Sequence, residues 1–465
     1  MRLFNALSRQ LEEVTPADGT TVKIYSCGPT VYRYAHIGNM RTFMLGDLIR
    51  RALRFEGRDV VQVMNITDVG HMTDDVSQES RDRMDIAVAD EGLAPQEIAA
   101  KYTAAFLEDE DALNIGRADH YPKATDHIPE MVELTKQLID KGLAYEVGGN
   151  VYFDVHAFPD YGHLSGNTLE QLRAGHRQEV EVDPSKRHAE DFALWKHAHE
   201  NRLMRWPSPW GEGFPGWHIE CSAMSMKLLG DRIDVHTGGN DLRFPHHEDE
   251  RGQSNGVAGH EVVSTWVYGG FLQQSGEKMA KSRKNVTRVV ELAEQGYDPL
   301  AFRLLCFGVR YRNEMDFSWE ALESAQTRLR RLRQRMADWS GAVRSDQLSS
   351  AAQELDRRFR DAVADDLDMP KAIEVLSEAV SADVPDGDKY SLLSSWDAVL
   401  GLDLERAVRD GQGGLPDDVQ ALVTQRDEAR AARDFARSDQ IRDQLTGRGY
   451  EVMDTAEGTR VRRRD

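Results

Sequence analysis

An almost unbroken apolar run, Val60 to Ile66 (VVQVMNI), sets the narrowest limit on what this chain can fold into. A strand apolar on both sides must be covered on both faces, the situation of a parallel sheet flanked by helices. Upstream, Thr21 to Ser26 (TVKIYS) reads as a short strand, closed by Gly28-Pro29. A helical pattern runs from Ile37 to Glu56, with Leu45, Leu48, Ile49, Ala52 and Phe55 on one face and Gly57 placed as a C-cap glycine. Strand, helix and strand make a βαβ unit, so the expected fold class is α/β with a Rossmann-like parallel sheet.

The remainder of the chain of 465 residues is long enough for two to four domains. Helices are expected over Asp85–Asn114 and Ile128–Lys141, and a strand over Asn150–Asp154. Phe158–Asp191 reads as an irregular insertion, and Arg205–Trp217 (RWPSPWGEGFPGW) as a loop by its Pro and Gly content. Ile233–His236 and Trp266–Leu272 read as further strands. Beyond Asp298 the pattern is nearly all helical. Ser318 is placed to N-cap a helix whose Leu322, Ala325, Leu329, Leu332 and Met336 form one buried stripe. Asp410–Asp417 (DGQGGLPD) reads as a linker, followed by one last helix from Val419 to Leu445 and a short tail.

Composition excludes several classes. With 40% hydrophobic and 29% charged residues the chain is neither fibrous nor wholly disordered. No stretch reaches the ~18 apolar residues of a membrane span, and Met1–Val14 has no apolar core of signal-peptide length. Three cysteines cannot make a disulfide framework, and the expected compartment is the cytoplasm. A net charge of −21 excludes a general phosphate-backbone binder, so any nucleic acid must meet local basic surfaces.

Two segments carry phosphate chemistry. Ala35-His36-Ile37-Gly38-Asn39 opens the first helix, whose free N–H groups suit phosphate, while an imidazole can donate and a glycine admits a nucleotide to the backbone. Glu277-Lys278-Met279-Ala280-Lys281-Ser282 puts two lysines three apart behind Ser275-Gly276, a cationic loop suited to polyphosphate. Metal chemistry has its own candidates. Cys27 ends the first strand, Cys221 follows Trp217-His218-Ile219-Glu220, and His246 and Glu250 lie four apart on one helix face; His247 points to a different face. Cys, Cys, His and a carboxylate make a credible zinc set. Cys306, in Leu304-Leu305-Cys306-Phe307, is expected in the core.

A helix-opening HIG and a later KMxKS form the two-part signature of class I aminoacyl-tRNA synthetases. Over essentially its whole length the chain resembles the cysteinyl-tRNA synthetases of that class. The segments that carry the resemblance are Tyr25–Tyr32 (YSCGPTVY), Asn65–Asp68 (NITD), Pro215–Met224 (PGWHIECSAM) and Phe244–Glu250 (FPHHEDE). The resemblance implies one zinc ion held by Cys27, Cys221, His246 and Glu250. It implies an amino-acid pocket of Gly28, Thr67, Trp217, His236 and Asp241, and an ATP site of His36, Gly38, Asn39, Lys278, Lys281 and Ser282, with His36, Lys278 and Lys281 acting in catalysis. ATP with Mg2+, L-cysteine and tRNA(Cys) are the implied substrates, and a monomer is implied. The sequence departs from the family pattern at Asn39, in place of the second His of HIGH, and at Ala280, in place of the first Ser of KMSKS.

The resemblance also divides the chain. Residues 1–120 and 200–290 are expected to form the catalytic domain and 121–199 an inserted connective region. Residues 291–320 would form a linking region that contacts the tRNA stem, 321–404 a helical bundle, and 411–465 a small C-terminal module for the anticodon. Basic surfaces are expected at Arg328, Arg330, Arg331, Arg333 and Arg335 on one helix, and at a stripe of Arg426, Arg430, Arg433 and Arg437 with the tail arginines Arg460, Arg462, Arg463 and Arg464. Two other readings share some of these features: a mycothiol-pathway ligase joining cysteine to glucosaminyl-inositol, and an inactive paralogue acting as a binding protein. The arginine-bearing C-terminal module argues against the former; Lys278, Lys281 and the four zinc candidates argue against the latter.

Overall fold

A computed structural model describes residues 1–70, 82–168, 183–199, 202–274, 277–278, 286–344, 347–412, 417–455 and 458–463. The elements run β1 (Arg2–Asn5), β2 (Gln10–Glu13), β3 (Thr21–Ser26), α1 (Ile37–Phe55), β4 (Asp59–Met64), α2 (Arg83–Glu91), α3 (Pro95–Ala112), α4 (Ile128–Asp140), β5 (Ala144–Val147), β6 (Asn150–Phe153) and β7 (Phe192–His197). They continue with β8 (Trp206–Ser208), β9 (Gly211–Pro215), α5 (Trp217–Leu229), β10 (Ile233–Gly239), α6 (Glu248–Ala258), β11 (Val263–Gly269), β12 (Leu272–Gln274), β13 (Glu277–Lys278), α7 (Val289–Glu294), α8 (Pro299–Cys306) and β14 (Met315–Phe317). The C-terminal third holds α9 (Trp319–Trp339), α10 (Ser350–Ala364), α11 (Met369–Ser381), α12 (Asp386–Leu400), α13 (Arg406–Gln412), α14 (Asp417–Ala431), α15 (Phe435–Gly447), β15 (Tyr450–Thr455) and β16 (Gly458–Arg463).

The βαβ expectation holds: β3 and β4 pair in parallel, and the sheet order is β11-β10-β3-β4, all neighbours parallel. Alternation along β3 sorts its two faces. Val22 and Ile24 join the core with α1's Ile49, Ala52 and Leu53, whereas Tyr25 and Cys27 pack in a separate cluster with Cys221 of α5. The register of a six-residue strand therefore decides that Cys27 faces α5. The strand order switches between β3 and β10: from β3 the chain steps to β4 on one side, while β10 and β11 lie on the other, the place where α/β sheets bind ligands beyond their C-terminal edge.

A five-stranded antiparallel sheet, β5-β6-β7-β9-β8, intervenes between the two halves of the parallel sheet. It absorbs Arg205–Trp217, and the expectation of a loop there is corrected: Trp206–Ser208 and Gly211–Pro215 form a hairpin. Pro207 is tolerated because β8 lies at the sheet edge, and Gly211 takes a φ of 109° at the turn. The helix expected over Asp85–Asn114 is two, α2 and α3, parted by Gly92 in the left-handed conformation and Pro95 at the start of the next helix.

Ser318 caps α9 by accepting from the Ala321 N–H, and the stripe Leu322, Ala325, Leu329, Leu332 and Met336 is buried. Cys306 lies in the same core. The last helix, expected to be continuous from Val419 to Leu445, breaks into α14 and α15. Arg433 adopts φ 60° and Asp434 caps the second helix by accepting from the Arg437 N–H. The tail is a hairpin, β15 with β16, packed on both helices. Among the described residues no helix is long and apolar enough to cross a membrane.

Candidate active site

Cys27 follows β3, and its N–H continues the ladder by donating to Thr237 O of β10 at 3.1 Å. Cys221 sits one turn into α5, and Glu250 in the first turn of α6. His246 precedes α6 on an irregular turn that contains a cis Phe244–Pro245 bond. Sequence separations of up to 223 residues close to a buried cluster. The Cys27 and Cys221 sulfurs are 3.9 Å apart, Cys27 Sγ is 3.7 Å from Glu250 Oε1, and His246 Nε2 is 2.9 Å from the same oxygen. One donor atom from each of Cys27, Cys221, His246 and Glu250 lies within 4.8 Å of the others. Two sulfurs bound ~2.3 Å from one tetrahedral ion stand ~3.8 Å apart, close to the spacing found. The sulfurs are too far apart for a disulfide, and all three cysteines are free.

A second donor set, Cys27, His236, His247 and Glu250, overlaps the first. His236 Nε2 is 2.9 Å from Glu250 Oε2, and His247 Nε2 is 3.2 Å from Cys27 Sγ, with its Nδ1 2.9 Å from the Tyr268 hydroxyl. The expectation that His247 turns away is corrected. Three and four residues before Glu250, both His247 and His246 reach the side of the helix that Glu250 occupies.

Burial opposes charge throughout this cluster, and the charges hold one another. Burial pushes Glu250 up, but His236 and His246 outweigh it and hold the carboxyl well below its ordinary range. Burial pulls the His246 imidazolium down, yet Cys221 and Glu250 raise it to about 10. Burial, with Cys221 beside it, lifts the Cys27 thiol well above its ordinary range, whereas the Cys27 thiol donating to Cys221 lowers the latter. Burial keeps His247 neutral. The result is a buried cluster of two sulfurs, one imidazole and one carboxylate, a donor set suited to a borderline-soft divalent cation.

Around it lie the other expected residues. Gly28 donates its N–H to Asn65 Oδ1 at 2.9 Å, and Asn65 donates to Thr67 Oγ1 at 2.9 Å. A Cβ on Gly28 would lie 1.7 Å from the Asn65 carbonyl, so only glycine fits there. Trp217, the first residue of α5, places its ring centroid 4.5 Å from that of His246. His236 stacks on Trp266 at 4.6 Å, and its buried Nδ1 has no hydrogen-bond partner among the described residues. Asp241 lies on the exposed turn after β10.

His36 is the N-cap of α1: its Nδ1 accepts from the Asn39 N–H at 3.3 Å, and its own N–H donates to Asn39 Oδ1 at 3.2 Å. Asn39 thus closes a capping box, a role that a histidine at that position would fill differently. Gly38 keeps this turn open, since a Cβ there would approach His36 Nδ1 to 2.9 Å. The Ile37 N–H donates to Thr287 O at 2.9 Å and so ties the first signature to the chain just past the second. Lys278 lies in β13; Lys281 and Ser282 lie outside the described residues.

The sequence reading missed His218, Asp249 and Tyr268. The available signal was density: four of the 15 histidines fall between residues 218 and 247. The arginine surfaces are also revised. Arg333 is buried, pairing with Asp298 and donating to Leu402 O and Asp403 O, whereas Arg328, Arg331 and Arg335 line a cavity of about 590 Å³ with Ser377 and Val380. The stripe Arg426–Arg430–Arg433–Arg437 does not form on one helix. Arg426 is fully buried and donates to Thr459 Oγ1 at 2.6 Å, and Arg433 lies in the turn between α14 and α15.

Comparison with known proteins agrees with this geometry. A family model described as the tRNA synthetases class I (C) catalytic domain matches residues 13–327, and one described as the cysteinyl-tRNA ligase anticodon binding domain matches residues 412–462. The chain is 42% identical to a cysteine–tRNA ligase of Salinibacter ruber, covering 100% of this chain and 98% of that protein. It is 41% identical to one of Thermus thermophilus, covering 99% and 98%. Among solved structures, methionyl-tRNA synthetase of Mycobacterium tuberculosis bound by methionyl-adenylate superposes with a TM-score of 0.56 at 16% identity, covering 85% of this chain and 95% of that one, a likeness of fold alone.

Proposed function

The chain belongs to the cysteinyl-tRNA ligase family of class I aminoacyl-tRNA synthetases, and from that premise we propose that it activates L-cysteine with ATP and passes it to tRNA(Cys). The observation that carries the reading is the convergence of Cys27, Cys221, His246 and Glu250 beyond the C-terminal edge of the parallel sheet.

We assign that quartet to one zinc ion. The ion, when bound, supplies a soft acceptor that favours a thiolate over a hydroxyl. Cysteine and serine differ by a single atom, which a simple cavity separates poorly. Trp217 and His236 wall the pocket, and Gly28, packed against the Asn65 carbonyl, leads the chain past it. In the first step a carboxylate oxygen of cysteine attacks the α-phosphorus of ATP and pyrophosphate leaves. The N-terminus of α1, with His36 and Gly38, positions phosphate, and Lys278, Lys281 and Ser282 stabilise charge on the departing polyphosphate, with Mg2+. In the second step the terminal ribose hydroxyl of the tRNA attacks the cysteinyl carbonyl and AMP leaves.

Charge suggests a tRNA path. The cavity lined by Arg328, Arg331 and Arg335, with Asp338 beside Arg335, offers guanidinium groups to a phosphate backbone in a chain of net charge −21. We assign residues 1–120 and 200–290 to catalysis, 121–199 to a connective insertion, 291–320 to stem contact, 321–404 to the bundle, and 411–465 to the anticodon, in a monomer acting in the cytoplasm. Pyrophosphate exchange with cysteine and with serine tests the reading. Exchange driven by cysteine and at least ~100-fold weaker with serine supports it; equal exchange, or none with either, overturns it.

A further inference from the structure

A chain of buried polar groups leads away from the metal-binding quartet. His246 Nδ1 is 2.8 Å from His218 Nδ1, His218 Nε2 is 3.2 Å from Asp249 Oδ2, and the Tyr161 hydroxyl donates to Asp249 Oδ1. All four side chains are buried. They come from four places: the turn before α6, the first turn of α5, the first turn of α6, and the segment between β6 and β7.

The proton count along the chain has one solution when His246 is a ligand. His246 turns Nε2 to Glu250 and so presents that lone pair to the cluster, which leaves its proton on Nδ1. That proton must be accepted by His218 Nδ1, because two facing ring nitrogens cannot both carry one. His218 then bears its proton on Nε2, and Asp249 accepts it. Tyr161 occupies the other Asp249 oxygen, leaving that carboxylate aimed at His218. The opposite His218 tautomer would face N–H against N–H and turn a bare ring nitrogen toward Asp249 Oδ2, a costly arrangement in a buried site.

We propose that Asp249, held by Tyr161, is a positioning residue that sets the tautomer of His218 and thereby turns Nε2 of His246 toward the metal. Carboxylate–histidine pairs directly behind a metal ligand are a common device; here a second imidazole is interposed. Tyr161 falls within the stretch expected as an insertion, so the insertion takes part in building the metal centre. The proposal rests on the metal reading of the quartet.

The test is zinc affinity, measured on the full-length protein by competition with a chromophoric chelator. The parent, Asp249→Asn and Tyr161→Phe are compared, with the visible spectrum of each cobalt-substituted protein as a second readout. Asp249→Asn keeps the shape and offers an N–H₂ or a neutral oxygen in place of a carboxylate. It should weaken zinc by ~10–100-fold and alter the cobalt spectrum. Tyr161→Phe, which removes only a hydroxyl, should weaken zinc in the same direction by less, and it carries the test if Asp249→Asn does not fold. Parent-like affinity in the folded Asp249→Asn protein overturns the positioning role while leaving the metal reading intact. A parent that holds no zinc overturns the metal reading and this proposal with it.

Discussion

The guanidinium of Arg303 lies 2.7 Å from the carboxylate of Asp47, and both side chains are essentially inaccessible to solvent. Asp47 belongs to α1, beneath the parallel sheet, and Arg303 to α8. Arg303 also donates to the carbonyls of Leu400, Leu113 and Asn114, and Asp47 accepts from Arg51 and the Gly116 N–H. One buried pair thus joins α1 and α8 to the ends of α3 and α12. Asp47→Ala leaves the Arg303 charge buried without its partner, and chemical denaturation should show a loss of about 3–5 kcal/mol. The paired change Asp47→Leu with Arg303→Met should cost far less than the sum of the two single changes.

The metal assignment predicts about one zinc per chain by elemental analysis, lost or strongly weakened in Cys221→Ser. The variant should lose cysteine-dependent activation while its affinity for ATP changes little, because the assignment puts the thiols in the amino-acid pocket and the phosphate contacts at α1. Zinc content equal to the parent's, or equal loss of both substrates, would contradict the assignment.

Stability should fall between weakly acidic and neutral pH through Glu110. Burial pushes its carboxyl up to about 7 from an ordinary value of 4.5, against the opposing bonds from Tyr121 and Arg117. Both partners use Oε2, and Oε1 is buried without a partner among the described residues. The raised value means that the folded state binds the proton more tightly than the unfolded one. The stabilisation is therefore complete below about 4.5 and lost as pH rises through about 7. Glu110→Gln keeps an acceptor for Tyr121 and should flatten that part of the pH profile, with a gain of about 1–3 kcal/mol at pH 8. An unchanged profile in thermal unfolding would contradict it.

Arg426 should act on stability rather than on RNA. Its buried guanidinium bonds Thr459, whose N–H donates to Asp427 at 2.8 Å, so it holds β16 to α14. Arg426→Ala should destabilise the C-terminal unit by about 2–3 kcal/mol, seen as faster hydrogen exchange in α14, α15 and the final hairpin. Cysteine-dependent pyrophosphate exchange should be unchanged. A variant as stable as the parent whose charging loses salt sensitivity would instead restore Arg426 to a phosphate-binding role.

The contrast between Arg426 and Cys27 shows what the sequence made legible. Period and alternation placed β3, α1 and β4, and with them the face that Cys27 presents, because those signals are local. The capped start of α9 at Ser318 was legible for the same reason. The break at Arg433 was not: an arginine in a left-handed turn gives no pattern, and Asp434 reads equally well as a helix-surface acid. The hairpin at Trp206–Pro215 was hidden because Pro and Gly mark an edge strand and a loop alike. The four metal-ligand candidates were read from residue type and position and joined into one set by a family resemblance, and the structure brings all four together. The partners behind them, His218 and Asp249, were not legible, because their roles depend on contacts between helices rather than on spacing.

The most direct test of the account is charging of a tRNA transcript bearing a GCA anticodon by the full-length protein with ATP, cysteine and zinc. The account predicts cysteinyl-tRNA formation that needs all of these components, and its loss in a chain lacking residues 411–465 that still supports cysteine-dependent pyrophosphate exchange. Exchange without any charging by the full-length protein would contradict it and return a ligase that joins cysteine to a different acceptor.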